Sequence, residues 1–522
     1  MNTGGAKLSK DKKEEIKEGI WTYVFAILLL IILIIVATQK SGWHVDEYCT
    51  FLLSNTSRGE LSSLKSGDTY SGEEFFNKLF VVNDGTRFNV SNVFDNQVKD
   101  VHPPLYYLIV NMLCSIFSDA DSLQVIGLGI NIVLAVLCYF IFIKILDLFT
   151  NDNHVSVVIS FLFCLSYAFL NTVMFMRMYM LLMLFTTLLI YTLLKYPPTA
   201  VRHPVGFYIS LFLISVLGCL THYYYIILFC SACFVYGILL IRCKKIKELV
   251  CGIFAAVSSL GVALLVFPAM YDHIFKGYRG TGSFEKAKSV EFISDLSEYI
   301  KIIDDYLFGG ILLILLVCII FALSLQDKVS FRNQNTDKYI LLVVPAIISF
   351  LLVAKTAPYQ KERYVSYIFF CFYFFVFILL YKIFRFYRKQ AWISVLLIGI
   401  ICLIGNLDCY PLTMQYKEEK INRDTIASLN CANTLCLYFY TNSKWKIRAN
   451  CLELKELDEI IFYSSEDYAD IDYGELEAYD NLILYIPSDG SVDSIVQTIS
   501  EQSGKTSEQL FSFGYTKAFL FN

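Results

Sequence analysis

The run "YVFAILLLIILIIVATQK" (Tyr23–Lys40), followed without a break by "SGWHVDEYCTFLLSN" (Ser41–Asn55), decides how the rest of this 522-residue chain is read. The apolar segment Trp21–Thr38 is roughly 18 residues long, close to the ~20 that carry a helix across a bilayer. A polar, basic stretch precedes it, and no small-residue cleavage site follows. The segment therefore reads as an uncleaved first span rather than a signal peptide. Two carboxylates, Asp46 and Glu47, stand just past the point where this helix leaves the membrane. A carboxylate in a partly dry pocket there, its pKa raised by burial or by a like charge, can take a proton from a hydroxyl. The plain alternative is a solvated pair or the N-cap of the next helix.

Composition extends the membrane reading to the whole chain. Hydrophobic residues make up 56% and charged residues only 17%, and the mean hydropathy is +0.55. Soluble domains hold about 45–50% apolar residues. The 43 Phe and 36 Tyr suit aromatic belts at two interfaces. A net charge of -4 offers nothing to nucleic acid. Most of the 16 Cys lie in apolar runs, where Cys packs as a small hydrophobe. Cys409, Cys431, Cys436 and Cys451 cluster outside such runs; one bridge among them is open, and spacing does not specify it.

The polar gaps between apolar runs alternate in kind. Short basic gaps occur at Lys7–Lys17, Lys144, Lys195–Arg202, Arg242–Lys247, Lys328–Lys338 and Lys382–Lys389. Longer or mixed gaps occur at Lys40–Leu123, Phe175, Thr221, Tyr271–Asp305 and Lys355. Basic loops face the cytoplasm. The alternation predicts about eleven spans, near 20–38, 123–146, 155–170, 173–194, 205–221, 223–241, 251–270, 307–325, 339–355, 364–384 and 391–407. "HPPLYYLIVNMLCSIF" (His102–Phe117) is short and interrupted by Pro-Pro; it reads as an interfacial or re-entrant helix in the first outer loop, 39–122. The expected organisation is a cytoplasmic segment 1–19, a membrane domain 20–407 and a small α/β domain 408–522. In that last region short apolar runs alternate with helix-like stretches. With the N-terminus inside and an odd span number, the α/β domain is extracytoplasmic.

This topology sends the unusual polar groups to one face. Asp46 and Glu47 end the first span, and His102-Pro103-Pro104 opens the interfacial helix. Arg177 and Tyr179 start the fourth span, His222 the sixth, and Lys361, Arg363 and Tyr364 the tenth. Each has a bland reading: snorkelling for the cations, a helix start for the prolines, a belt position for His222. Their convergence favours a site, since charge at membrane depth is costly. Clustered Arg and Lys suit a lipid-linked phosphate. A metal held by His44, Asp46, Glu47 and His102 is an open alternative on unspecific spacing. No Walker loop or dinucleotide fingerprint is present. No span carries several internal charges, which weighs against ion transport.

"WHVDEY", "DVHPPLYYLIVNML", "MRMYMLLMLF", "THYYY" and "KERYVSYIFF", in that order over residues 20–407, resemble the GT-C superfamily of membrane glycosyltransferases. The resemblance is to the glycosyltransferase family 39, protein O-mannosyltransferase and lipid A aminoarabinose transferase group. It implies a GT-C polytopic helical fold in the plasma membrane, with transfer at the outer face. It implies a donor sugar on polyprenyl phosphate, of the undecaprenyl type, and a glycan, lipid or protein acceptor in the cell envelope. Asp46 takes the place of the family's acidic residue after the first span and acts as general base in an inverting reaction, with Glu47 tuning it or holding the acceptor. His102, Arg177, Tyr179, His222, Lys361, Arg363 and Tyr364 fall to the donor phosphate and sugar. No cofactor is required; a divalent metal stays open. Many relatives carry Gln-Glu-Ala before the arginine-x-tyrosine element; this chain has Met174-Phe175-Met176, and no sugar-binding role carries over to them. The competing class is a non-enzymatic transporter or binding protein for lipid-linked sugars.

Overall fold

The computed structural model describes residues 4–324, 336–387, 390–430, 433–468, 471 and 475–522. Most of the expected basic stretch 328–338, residues 388–389 and Cys431 lie outside the described residues. Two compact units form. The first joins residues 1–38, 100–106 and 128–413; the second joins 39–99, 107–127 and 414–522.

The first unit is helical, and the protein is a polytopic membrane protein. Among the described residues, seven helices are long and apolar enough to cross a membrane: Gly19–Ala37, Ser122–Thr150, Tyr223–Arg242, Ile246–Val266, Thr336–Thr356, Ser366–Tyr387 and Ala391–Cys409. Two bent pairs raise the number to nine. The expected spans 173–194 and 205–221 correspond to Tyr179–Lys195 and Val205–Cys219, helices of 17 and 15 residues. Both fall short of the ~20 residues a perpendicular crossing takes. Burial sorts the helices: the best window of Ser366–Tyr387 is 78% buried and that of Gly19–Ala37 17%. The first is therefore a core helix, and the second shows an apolar face suited to lipid.

The bends have local causes. Asn153–Cys164 meets Tyr167–Met174 at 59°. Between them Ser166 Oγ donates to the Phe163 carbonyl at 2.7 Å and accepts from the Phe169 amide at 3.4 Å, so a serine cap restarts the helix inside an apolar run. Phe292–Phe308 meets Leu312–Ser324 at 81°. Gly309 turns that corner with φ +62°, and an added Cβ would lie 2.4 Å from the Cys402 carbonyl, so only glycine fits. The expected gap Tyr271–Asp305 is largely helical, in the helices Ala269–Phe275, Tyr278–Lys288 and Phe292–Ile303.

The second unit is built on a six-stranded sheet. Its strands are β1 (Asp68–Tyr70), β2 (Thr434–Tyr440), β3 (Ile460–Ser464), β4 (Asn481–Pro487), β5 (Ser507–Phe513) and β6 (Thr516–Phe521), in the order β1-β3-β2-β4-β6-β5. β3, β2 and β4 are parallel, with Cys436 opposite Ile460 and Ile483; the outer pairings are antiparallel. Every residue of β2 is buried, as a central parallel strand covered on both faces requires. One face packs Leu435, Leu437, Leu484 and Ile486 against Ile495 and Ile499 of the helix Val492–Ser503. The other carries Tyr438 and Tyr485, whose hydroxyls reach Asn450 at 3.0 Å and Glu453 at 3.2 Å. β1 comes from the first long loop, so residues 39–99 and 414–522 share one sheet. Cys409, Cys436 and Cys451 are free thiols.

Candidate functional site

In the first unit the expected residues gather where helices break. The chain leaves helical geometry over Phe175–Met178, freeing carbonyls that an apolar interior leaves costly. Asn131, fully buried, answers them: its Nδ2 donates to the carbonyls of Val173 at 3.0 Å and Phe175 at 2.6 Å. Tyr106 in turn donates to Asn131 Oδ1 at 3.3 Å. The Arg177 amide donates to the Phe175 carbonyl at 2.7 Å. The break thus holds Arg177, which is only 3% exposed, at the start of the Tyr179–Lys195 helix.

Around the break runs a closed circuit of rings and one guanidinium. Arg363 Cζ lies 5.6 Å from the Phe175 ring, Phe175 stacks on Tyr179 at 5.5 Å, and Tyr179 meets His222 at 5.5 Å. His222 meets Tyr224 at 4.8 Å, Tyr224 meets Tyr364 edge-on at 5.6 Å, and Tyr364 returns to Arg363 at 5.4 Å. Cation–π contacts of this kind contribute about 0.5–2 kcal/mol each, enough to fix the guanidinium plane. His102 joins the circuit, its ring 5.8 Å from His222. Lys361 is exposed and, among the described residues, stands outside the circuit.

The two histidines have different partners. His222 Nδ1 accepts from the Tyr224 amide at 3.0 Å, so the ring proton sits on Nε2. Burial, with the charges of His102 and Arg177, holds its pKa well below the usual histidine range. With Nδ1 accepting, His222 offers its Nε2 proton as a hydrogen-bond donor. His102 Nδ1 lies 3.0 Å from Asp100 Oδ2. Burial opposes ionisation of Asp100, but the hydrogen bond and charge of His102, with the charge of Arg177, keep the carboxyl below its usual range.

In the second unit His44 caps the helix Val45–Asn55. Its Nδ1 accepts from the Asp46 amide at 3.0 Å, and Glu47 Oε2 accepts from the His44 amide at 2.6 Å. Glu47 also pairs with Lys40 at 3.0 Å, both side chains fully buried. The capping role therefore belongs to His44 and Glu47. Glu47, expected to tune Asp46 or hold an acceptor, is fully buried and bonded to Lys40 and the His44 amide. The Asp46 side chain stays 33% exposed, 3.5 Å from His44 Nδ1. Among the described residues, no three of His, Cys, Asp or Glu gather to hold a metal ion.

Sequence comparison finds no matching family model and no matching curated protein. Structural comparison finds matches over most of the chain. ArnT from Cupriavidus metallidurans bound to undecaprenyl phosphate superposes with a TM-score of 0.55 at 10% identity, over 96% of this chain and 98% of that one. Its apo state gives 0.51 at 9% identity, over 96% and 97%. The chain shares the fold of that protein.

Within this fold stand further titratable residues that the sequence did not single out. Asp100 stands two residues before His102, a spacing that could have flagged the pair. Glu419 and Glu453 gave no such sign. Glu419 Oε2 accepts from the Trp43 amide at 3.0 Å; burial, reinforced by the charge of Glu453, pushes its carboxyl up to about 9 despite that bond. Burial likewise pushes Glu453 up to about 7, against hydrogen bonds from Asn450 and Tyr485.

Proposed function

We propose that this protein transfers a sugar from a polyprenyl-phosphate donor to a hydroxyl of a cell-envelope acceptor at the outer face of the plasma membrane. The observation that carries the reading is the circuit holding Arg363 and His222 beside buried Arg177, in a chain that shares its fold with a protein crystallised with undecaprenyl phosphate. Asp46 takes the proton of the acceptor hydroxyl as its oxygen attacks the anomeric carbon. The bond from that carbon to the phosphate oxygen breaks on the opposite side, configuration inverts, and polyprenyl phosphate departs with the electron pair. Arg177 and Arg363 meet the growing charge with fixed guanidinium donors, and neutral His222 adds its Nε2 proton; donors set in advance cost no reorganisation during the step. His102, oriented by Asp100, Tyr179 and Tyr364 complete the donor site, with Lys361 at its rim. Lipid phosphate is a fair leaving group, so the step needs no metal.

The test is direct binding. Undecaprenyl phosphate titrated into the full chain in nanodiscs should saturate one site, and Arg177→Ala with Arg363→Ala should abolish that saturation. Equal binding by wild type and double variant would remove the donor site from this cluster.

A further inference from the structure

Residues 414–419 cross the start of the Asp46 helix, and both segments belong to the second unit. The Met414 carbonyl accepts from Lys40 Nζ, and the Gln415 carbonyl accepts from the Ser41 amide at 2.8 Å. Lys417 Nζ donates to Gln39 Oε1 at 3.1 Å. Glu419 Oε2 accepts from the Trp43 amide at 3.0 Å. The Tyr416 ring lies 5.7 Å from the Lys40 ammonium and 6.1 Å from the His44 ring.

Two features show how closely the segments are fitted. Tyr416 holds a left-handed backbone, φ +50°, which a tyrosine rarely adopts without surrounding contacts to impose it. A Cβ at Gly42 would lie 1.9 Å from Glu419 Oε2, so the glycine makes room for the carboxyl. The held segment ends at His44 and Glu47, the two halves of the cap from which Asp46 projects.

We propose that the 414–419 strap sets the orientation of Asp46, with Glu419 as a positioning residue acting through the Trp43 amide and the His44–Glu47 cap. This rests on the reading of Asp46 as general base. The charged and titratable groups within electrostatic reach of Glu419 are Glu453, Lys40, Glu47 and Tyr48. In its neutral form it accepts from Trp43 and adds no charge to a pocket where Lys40 already balances Glu47. Ionised, it sets a further carboxylate charge beside Glu47 and Glu453, and that repulsion works against its bond to the Trp43 amide.

The experiment combines hydrogen exchange and kinetics on the full chain in nanodiscs. Glu419→Ala is expected to raise amide exchange across residues 39–47 about tenfold. It should lower kcat by about 10²-fold, the scale of an ångström-sized misplacement, and leave the donor KM unchanged. Glu419→Gln, neutral at every pH, should restore kcat and remove a fall in wild-type rate as pH rises through about 9. Should Glu419→Ala not fold, Gly42→Ala, which pushes the carboxyl away, carries the same exchange test. Unchanged exchange across 39–47, or a pH fall identical in wild type and Glu419→Gln, would overturn the proposal. Wild-type turnover in Asp46→Asn would instead sink the base assignment and leave the exchange result standing.

Discussion

Asp46 and Glu47 are neighbours in sequence with opposite surroundings, and substitution should separate them. Asp46 is partly exposed, and Asp46→Asn keeps its shape while removing its basicity. Turnover should fall by about 10²–10⁴-fold, the usual contribution of a general base, with donor binding and folding intact. Glu47→Gln should lower stability first, with a smaller fall in turnover through the cap from which Asp46 projects. Leaving Lys40 buried without its carboxylate costs about 3–5 kcal/mol when such a pair is broken, so a thermal melt should show the loss. The arginines divide the work of charge with a neutral His222. Arg177→Lys and Arg363→Lys keep the charge but lose the planar fork. At about 1.5–3 kcal/mol per charge-assisted bond, donor binding measured by titration should weaken roughly 10–100-fold. Normal affinity in both would return them to headgroup contacts.

Elements carry the second test, through the buried acids beside the strap. Glu419 ordinarily titrates at 4.5 and is raised to about 9 in the fold; Glu453 is raised from 4.5 to about 7. Between the two values the unfolded chain has lost a proton that the folded chain retains. Stability therefore falls as pH rises through this window and is highest below it. The unfolding midpoint should drop as pH is raised from about 5 to about 9, and Glu419→Gln should flatten the upper half of that curve. The sequence could not disclose this arrangement. Trp43 and Glu419 meet only in the folded unit, and neither flank of Glu419 ("YKEEK") differs from an ordinary solvated helix start. The same distance hid β1: "DTY" at 68–70 has no strand pattern of its own and is extended because Ile460–Phe462 pairs with it. The apolar runs at 434–440, 460–464, 481–487 and 516–521 were legible because burial on one or both faces selects such sequences. The bends at Ser166 and Gly309 were not, since a single serine or glycine in an apolar run leaves hydropathy almost unchanged. In the site, Arg177, His222 and Arg363 stood out as polar residues at span ends, whereas Phe175 looked like plain hydrophobic filling.

At the scale of the whole molecule, transfer to an envelope acceptor requires the donor site and the sheet-bearing unit to lie outside the cytoplasm. A reporter fused after Asn522 should register an extracytoplasmic location, and one inserted within Arg242–Lys247 a cytoplasmic one. A cytoplasmic C-terminus would break the topology and the shared face with it. The central claim is the transfer itself, and its donor sugar and acceptor can be found without being known in advance. Mass spectrometry of polyprenyl-phosphate sugars and envelope glycans should compare cells expressing wild-type protein with cells expressing Asp46→Asn at equal level. The account predicts that one polyprenyl-phosphate sugar accumulates in the variant while one envelope glycan loses that same sugar. Identical lipid-linked sugars and identical glycans in the two would contradict it.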